Sequence, residues 1–132
     1  MFGGDTQPED RTVHHADMEA RIQACLDCHR TCLSTIAYCL GQGGHHAEGA
    51  HIVLMMDCAQ ICATDADFMI RGSAHHARLC GVCAEVCEAC AADCEKHGGG
   101  DATMQACVEA CHRCAAECRK MEASHSSTQT AR

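Results

Sequence analysis

Apolar and polar residues recur along this chain at alternating steps of three and four, in four segments separated by glycine-bearing breaks. Residues three and four apart share one face of an α-helix, so the pattern predicts four amphipathic helices. The first runs from near Thr12 to Leu40 and stops at Gly41, Gly43 and Gly44. The second begins near Ala47 and ends by Arg71, before Gly72. Ser73 suits the N-cap of the third, which ends near His97 at Gly98, Gly99 and Gly100. Asp101 caps the fourth, which fades near Ala123 into the polar tail SHSSTQTAR. Residues 1–11, with the only proline, read as a mobile N-terminal arm, residues 12–122 as one domain, and residues 123–132 as a disordered tail. Short connections between four helices make the expected fold all-α, an antiparallel up-down-up-down four-helix bundle.

The seam positions carry an unusual residue. Where a bundle ordinarily places Leu and Ile, this one places Cys: Cys25, Cys28, Cys32 and Cys39 in the first segment, Cys58 and Cys62 in the second. The third holds Cys80, Cys83, Cys87, Cys90 and Cys94, and the fourth Cys107, Cys111, Cys114 and Cys118. Folding the last two helices about Gly99 brings Cys80 opposite Cys118, Cys83 opposite Cys114, Cys87 opposite Cys111 and Cys90 opposite Cys107, with Cys94 meeting Met104. Folding the first two about Gly44 places Cys25 near Cys62, Cys28 near Cys58 and Cys32 near Met55. The stripes then converge on one cysteine-lined core. A second apolar stripe on the first helix, Ile22, Leu26, Leu33, Ile36 and Leu40, is rotated roughly 100° from the cysteine face. It fits either a wide buried face within one chain or contact with another subunit.

Composition narrows the function. Aromatic residues make up 2% of the 132 and Trp is absent, so Cys, Ala, Met, Leu, Ile and Val must fill the core. A formal charge of −8 with scattered Lys and Arg argues against a nucleic-acid surface and makes cations the better partner. No apolar stretch approaches the ~20 residues of a membrane span, and the opening MFGGDTQPEDRT lacks the basic and apolar regions of a signal peptide. A cytoplasmic setting is therefore expected. There, dense Cys points to metal binding or redox chemistry instead of a disulfide framework, and thiols projecting in parallel from one helix do not form the disulfide torsion.

Soft thiolates select Cu(I), Zn or iron–sulfur clusters. Six pairs have the C-x-x-x-C form, as in Cys28 with Cys32 and Cys114 with Cys118. Two sulfurs one turn apart pinch an ion content with two or three ligands, as Cu(I) is. Zinc prefers a closed tetrahedron, commonly from C-x-x-C knuckles, and a ferredoxin would show x2-x2-x3 spacing followed by Pro. If thiolates bridge, capacity is on the order of one ion per cysteine, which describes storage and not a single catalytic centre. A zinc buffer and a thiol or iron–sulfur redox protein stand as alternative classes. No Ser-His-Asp set, phosphate loop or paired catalytic carboxylates is recognisable, so no enzyme activity is expected.

Beyond the sulfurs the stripes continue into Met18, Met69, His76 and Met121 at one end, with His14 and His75 close by. At the other end come Cys39, His51, His97 and Met104. The first ring is the favoured mouth for metal. Asp65 holds a seam position, as a ligand-like residue at the mouth or a partner for a nearby His. His29 and His112, beside seam cysteines, are expected to face outward, and Thr35 interrupts its stripe without obvious purpose.

Over roughly residues 12–122, and most specifically in the six C-x-x-x-C pairs, the chain resembles the copper storage protein family, bacterial four-helix bundles with thiol-lined cores. The resemblance implies that all fifteen cysteines are Cu(I) ligands and that the protein is a homotetramer. Exported members carry a twin-arginine-type signal, which this chain lacks, so it looks like the cytosolic branch, sequestering copper and supplying cuproenzymes. Cytosolic relatives tend to use His at the mouth and exported ones Met, and this chain mixes the two.

Overall fold

The computed structural model describes residues 8–98 and 100–130, with side chains over 15–98 and 100–121. Four helices follow in order: α1 (Pro8–Gln42), α2 (Gly49–Ile70), α3 (His76–Gly98) and α4 (Ala102–Thr130). A short 3-10 turn, Gly44–Ala47, joins the first two.

Helix ends follow local chemistry more closely than the apolar spacing does. Helix α1 starts at Pro8, ahead of Thr12, because proline at the first helical position gives up an N–H that would have no intrahelical partner. The part of the expected arm over residues 1–7 lies outside the described residues. Helix α2 starts at Gly49 and not at Ala47, since the 3-10 turn takes up the intervening residues. It ends in a Schellman motif: Gly72 has φ 67°, and Ser73 N donates to Phe68 O at 2.9 Å. Ser73 caps a turn ahead of α3 instead of its first residue, its Oγ accepting from His75 N at 3.1 Å. Asp101 performs as expected, Oδ1 accepting from Thr103 N at 2.8 Å and Met104 N at 3.4 Å. Its other oxygen accepts from Tyr38 Oη, tying α1 to the start of α4. No Gly or Pro interrupts residues 123–130, and the backbone of α4 stays helical past Ala123 to Thr130.

The helices form a square. Each packs against two neighbours, α1 on α2 and α4, α3 on α2 and α4, which is the antiparallel up-down-up-down bundle. Buried Ala77, Gly81, Ala84 and Ala91 flank the α3 cysteines, and small side chains at a contact let helix axes come close. Among the described residues the larger apolar groups of the core are few: Ile22, Met55, Met69, Met104 and Val108. Of the second α1 stripe, Ile22 is buried and Ile36 half-buried, while Leu26, Leu33 and Leu40 are exposed.

Candidate metal centre

All fifteen cysteines are free, and each is wholly buried. The helical repeat aims every one at the bundle axis, so neighbouring and diagonal helices both meet through sulfur. Between adjacent helices, Cys28 lies 3.8 Å from Cys58, Cys62 3.5 Å from Cys87, Cys83 3.8 Å from Cys114 and Cys25 3.6 Å from Cys114. Across the diagonals, Cys28 reaches Cys87 at 4.0 Å and Cys58 reaches Cys111 at 3.9 Å. The pairing expected of Cys83 with Cys114 and of Cys28 with Cys58 is thus present.

Sets of four sulfurs with all members within 4.8 Å of one another include Cys25, Cys83, Cys114, Cys118; Cys28, Cys62, Cys87, Cys114; Cys28, Cys32, Cys58, Cys111; and Cys32, Cys90, Cys107, Cys111. Cys114, Cys28, Cys32 and Cys111 each belong to two sets. Shared corners make one continuous column. Cys94 extends it, 3.9 Å from Cys107.

The thiols titrate as a network. Cys28, Cys58 and Cys107 are pulled down, each most strongly by hydrogen bonding with Cys111. Cys25 and Cys87 are pushed up, most strongly by Cys114. Cys114 itself is held down at about 7, with the Cys118 thiol the main cause. A thiolate surrounded by S–H donors is stabilised at the expense of its neighbours, so some sulfurs are ready nucleophiles for a soft cation while others wait for metal to displace their protons.

At one end of the column sits a carboxyl group. Asp65 is completely buried and accepts from Cys80 at 3.4 Å, Cys118 at 3.4 Å and Cys25 at 3.7 Å. Burial pushes its carboxyl up to about 8, with the charge of the Cys118 sulfur adding to the effect. Among the described residues, the hydrogen bonds of Asp65 are with thiols. Nearby, Met69 is buried with Sδ 4.0 Å from Cys80 Sγ, and Met18 and Met121 pack half-buried on the core. His76 is half-buried at the start of α3 and His75 is exposed. The side chain of His14 lies outside the described residues.

The opposite end holds more than the sequence suggested. Cys39 meets His51 Nε2 at 3.6 Å and Met104 Sδ at 3.5 Å, as its register implies. It also meets His46 Nδ1 at 3.8 Å, and His51 Nδ1 lies 2.6 Å from Asp93 Oδ2. His97 stacks on His51 with ring centroids 4.2 Å apart. His46 sits on a turn and Asp93 beside a seam cysteine, so neither follows the three-four rhythm that reveals the rest. Away from the axis, His29 is half-buried and hydrogen-bonds Ala59 O at 2.8 Å, while His112 is exposed.

By fold and site this is a soft-metal-binding protein, a helical bundle whose axis is a stack of free thiols. Residues 14–123 match the family described as Csp, copper storage protein, and the chain belongs to that family. A protein of Nitrosospira multiformis solved by crystallography is 46% identical, with TM-score 0.77 over 83% of this chain and 97% of that one. The Cu(I)-bound copper storage protein BsCsp3 is 38% identical, with TM-score 0.74 over 80% and 98%. A cytosolic copper storage protein from Streptomyces lividans, solved with five coppers, is 28% identical, with TM-score 0.73 over 85% and 97%.

Proposed function

We propose that this chain is a cytosolic Cu(I) store, a binding protein and not an enzyme, holding many ions through Cys25, Cys28, Cys32, Cys39, Cys58, Cys62, Cys80, Cys83, Cys87, Cys90, Cys94, Cys107, Cys111, Cys114 and Cys118. The observation that carries this reading is the sharing of corners between sulfur sets. A thiolate common to two sets is placed to bridge two ions, and bridging suits the low coordination number of Cu(I) better than the closed tetrahedra of zinc. The Cu(I)-bound state of BsCsp3 and the cytosolic copper storage of the Streptomyces protein support the same assignment. Storage keeps reactive copper from the cytosol and provides a reserve for copper enzymes.

The test is an anaerobic Cu(I) titration against a competing chelator. Tight uptake on the order of one ion per cysteine supports storage. Saturation at three or four ions with Zn preferred would replace it with a zinc buffer, and an iron–sulfur chromophore in the purified protein with electron transfer.

Metal is proposed to pass in at the end lined by Met18, Met69, His76 and Met121, with His75 and, by sequence register, His14 close by and Asp65 next to the first sulfurs. Thioether and imidazole bind Cu(I) less tightly than thiolate, so they would pass ions inward without retaining them. Replacing Met18 and His76 together should slow loading several-fold and leave capacity unchanged. An unaltered loading rate counts against this mouth.

The exposed stripe of Leu26, Leu33 and Leu40 is the proposed contact between bundles in a homotetramer, since a row of exposed leucines on one helix is an association surface. Leu33→Glu with Leu40→Glu should lower the mass seen by analytical ultracentrifugation.

A further inference from the structure

At the end opposite Asp65, the sulfur column stops being a column. On α1, Thr35 occupies the seam position between Cys32 and Cys39; it is buried, and its Oγ1 donates to Thr31 O at 2.7 Å. Met55 on α2 and Met104 on α4 are also fully buried. Around Cys39 the surroundings change character: Met104 Sδ at 3.5 Å, His51 Nε2 at 3.6 Å and His46 Nδ1 at 3.8 Å. One thiolate, one thioether and two imidazoles converge.

We infer that Cys39, His46, His51 and Met104 form a separate mixed nitrogen–sulfur site for a single ion, able to hold borderline divalent ions such as Cu(II), Zn(II) or Co(II) as well as Cu(I). The donor set decides the ion class. Two imidazoles with one thiolate and a weak thioether satisfy copper in either oxidation state, whereas an all-thiolate column favours Cu(I). Imidazole also suits zinc, nickel and cobalt, for which the thioether is a bystander.

Two independent features show that the site is built. The first is the support behind His51. Its Nδ1–H donates to Asp93 Oδ2 at 2.6 Å, which leaves Nε2 as the lone-pair nitrogen and aims it at Cys39. A ligating histidine that gives its other N–H to a carboxylate is the usual arrangement behind a bound metal. His97 completes the support: its ring stacks on His51, and its Nδ1 hydrogen-bonds the backbone oxygen of Asp93 at 2.9 Å. Asp93 is therefore a positioning residue.

The second feature is room. A Cβ on Gly98 would lie 2.7 Å from Met104 Cγ and 3.0 Å from His46 Cε1. A side chain there would push apart two of the four donors, so the glycine at the end of α3 permits their approach. His46 comes in from the other side, on the 3-10 turn reached through Gly43 and Gly44 with φ 72° and 56°.

Cobalt(II) is the probe, because it is stable beside thiols without oxygen and shifts the N–H protons of coordinated imidazoles far outside the normal proton NMR range. The intact apo-protein is titrated anaerobically. Two such exchangeable resonances are expected, both from one Co(II) per chain, since cobalt held by the four-sulfur sets carries no imidazole and adds none. His46→Ala and His51→Ala should each remove one, Cys39→Ser should abolish the sulfur-to-cobalt absorption of that equivalent, and His112→Ala should change nothing. Asp93→Ala should leave the His51 resonance in place but speed its exchange with water, which a merely structural role would not do. Absence of shifted imidazole resonances at every ratio up to saturation overturns the inference, as does their survival in both histidine variants. Cu(I) capacity is read by a different titration, so this site can fail while storage in the column stands.

Discussion

Asp65 is the residue whose chemistry departs furthest from its surroundings, a carboxyl enclosed by the thiols of Cys25, Cys80 and Cys118. Burial raises its folded pKa to about 8, well above the unfolded carboxylate value. The empty protein therefore prefers Asp65 protonated. That preference costs nothing below the unfolded pKa, then weakens the fold progressively as pH climbs from about 4 to about 8 and the unfolded chain gives up the proton first. Asp65→Asn should flatten that part of the pH–stability curve of the apo-protein, measured by urea unfolding. An unchanged slope would assign it to the thiols. At this scale the cysteines were legible because each obeys the helical repeat and sulfur announces its own chemistry. Asp65 was legible as a seam residue but not in its role, since its partners come from three other positions on three helices. His46 and Asp93 were illegible for a related reason: what brings them to Cys39 and His51 is the fold of a turn and the rotation of a neighbouring helix.

Among the elements, the loop-side end of the bundle depends on two small details. Asp101 caps α4 with one oxygen and receives Tyr38 of α1 with the other. Asp101→Ala should lower the melting temperature of the apo-protein by several degrees, and Tyr38→Phe by less, since the cap then survives. At Gly98 the expected effect has a different cause, because an added methyl group meets Met104 and His46 at sub-van der Waals distance. Gly98→Ala should destabilise by about 1–3 kcal/mol despite the better helix propensity of Ala, as overpacked sites do. Equal or higher stability in thermal unfolding would mean that Met104 moves aside freely. Helix number and order were readable from glycine breaks and the three-four rhythm. The ends were read less well, because Pro8 starts a helix by supplying a preset backbone angle, and the 3-10 turn and Schellman motif are backbone events that apolar spacing does not encode.

For the molecule as a whole, filling the column exchanges protons for metal. The thiols pushed up are protonated when empty, so Cu(I) uptake at neutral pH should release protons, fewer than one per cysteine because Cys28, Cys58 and Cys107 are pulled down, measurable from binding heats in buffers of different ionisation enthalpy. Affinity should fall as the solution is acidified, because protons compete for the same sulfurs. Uptake without proton release would contradict coordination by thiolate. The wider consequence lies in what the interior lacks. A bundle lined with sulfur and alanine, with only a handful of larger apolar groups, gains little from hydrophobic burial when empty. Whatever binds only the folded form adds to its stability by mass action, and proteases sample the opened form. Laden copies should therefore outlast vacant ones under limited proteolysis, so that the lifetime of each molecule reports how much it carries.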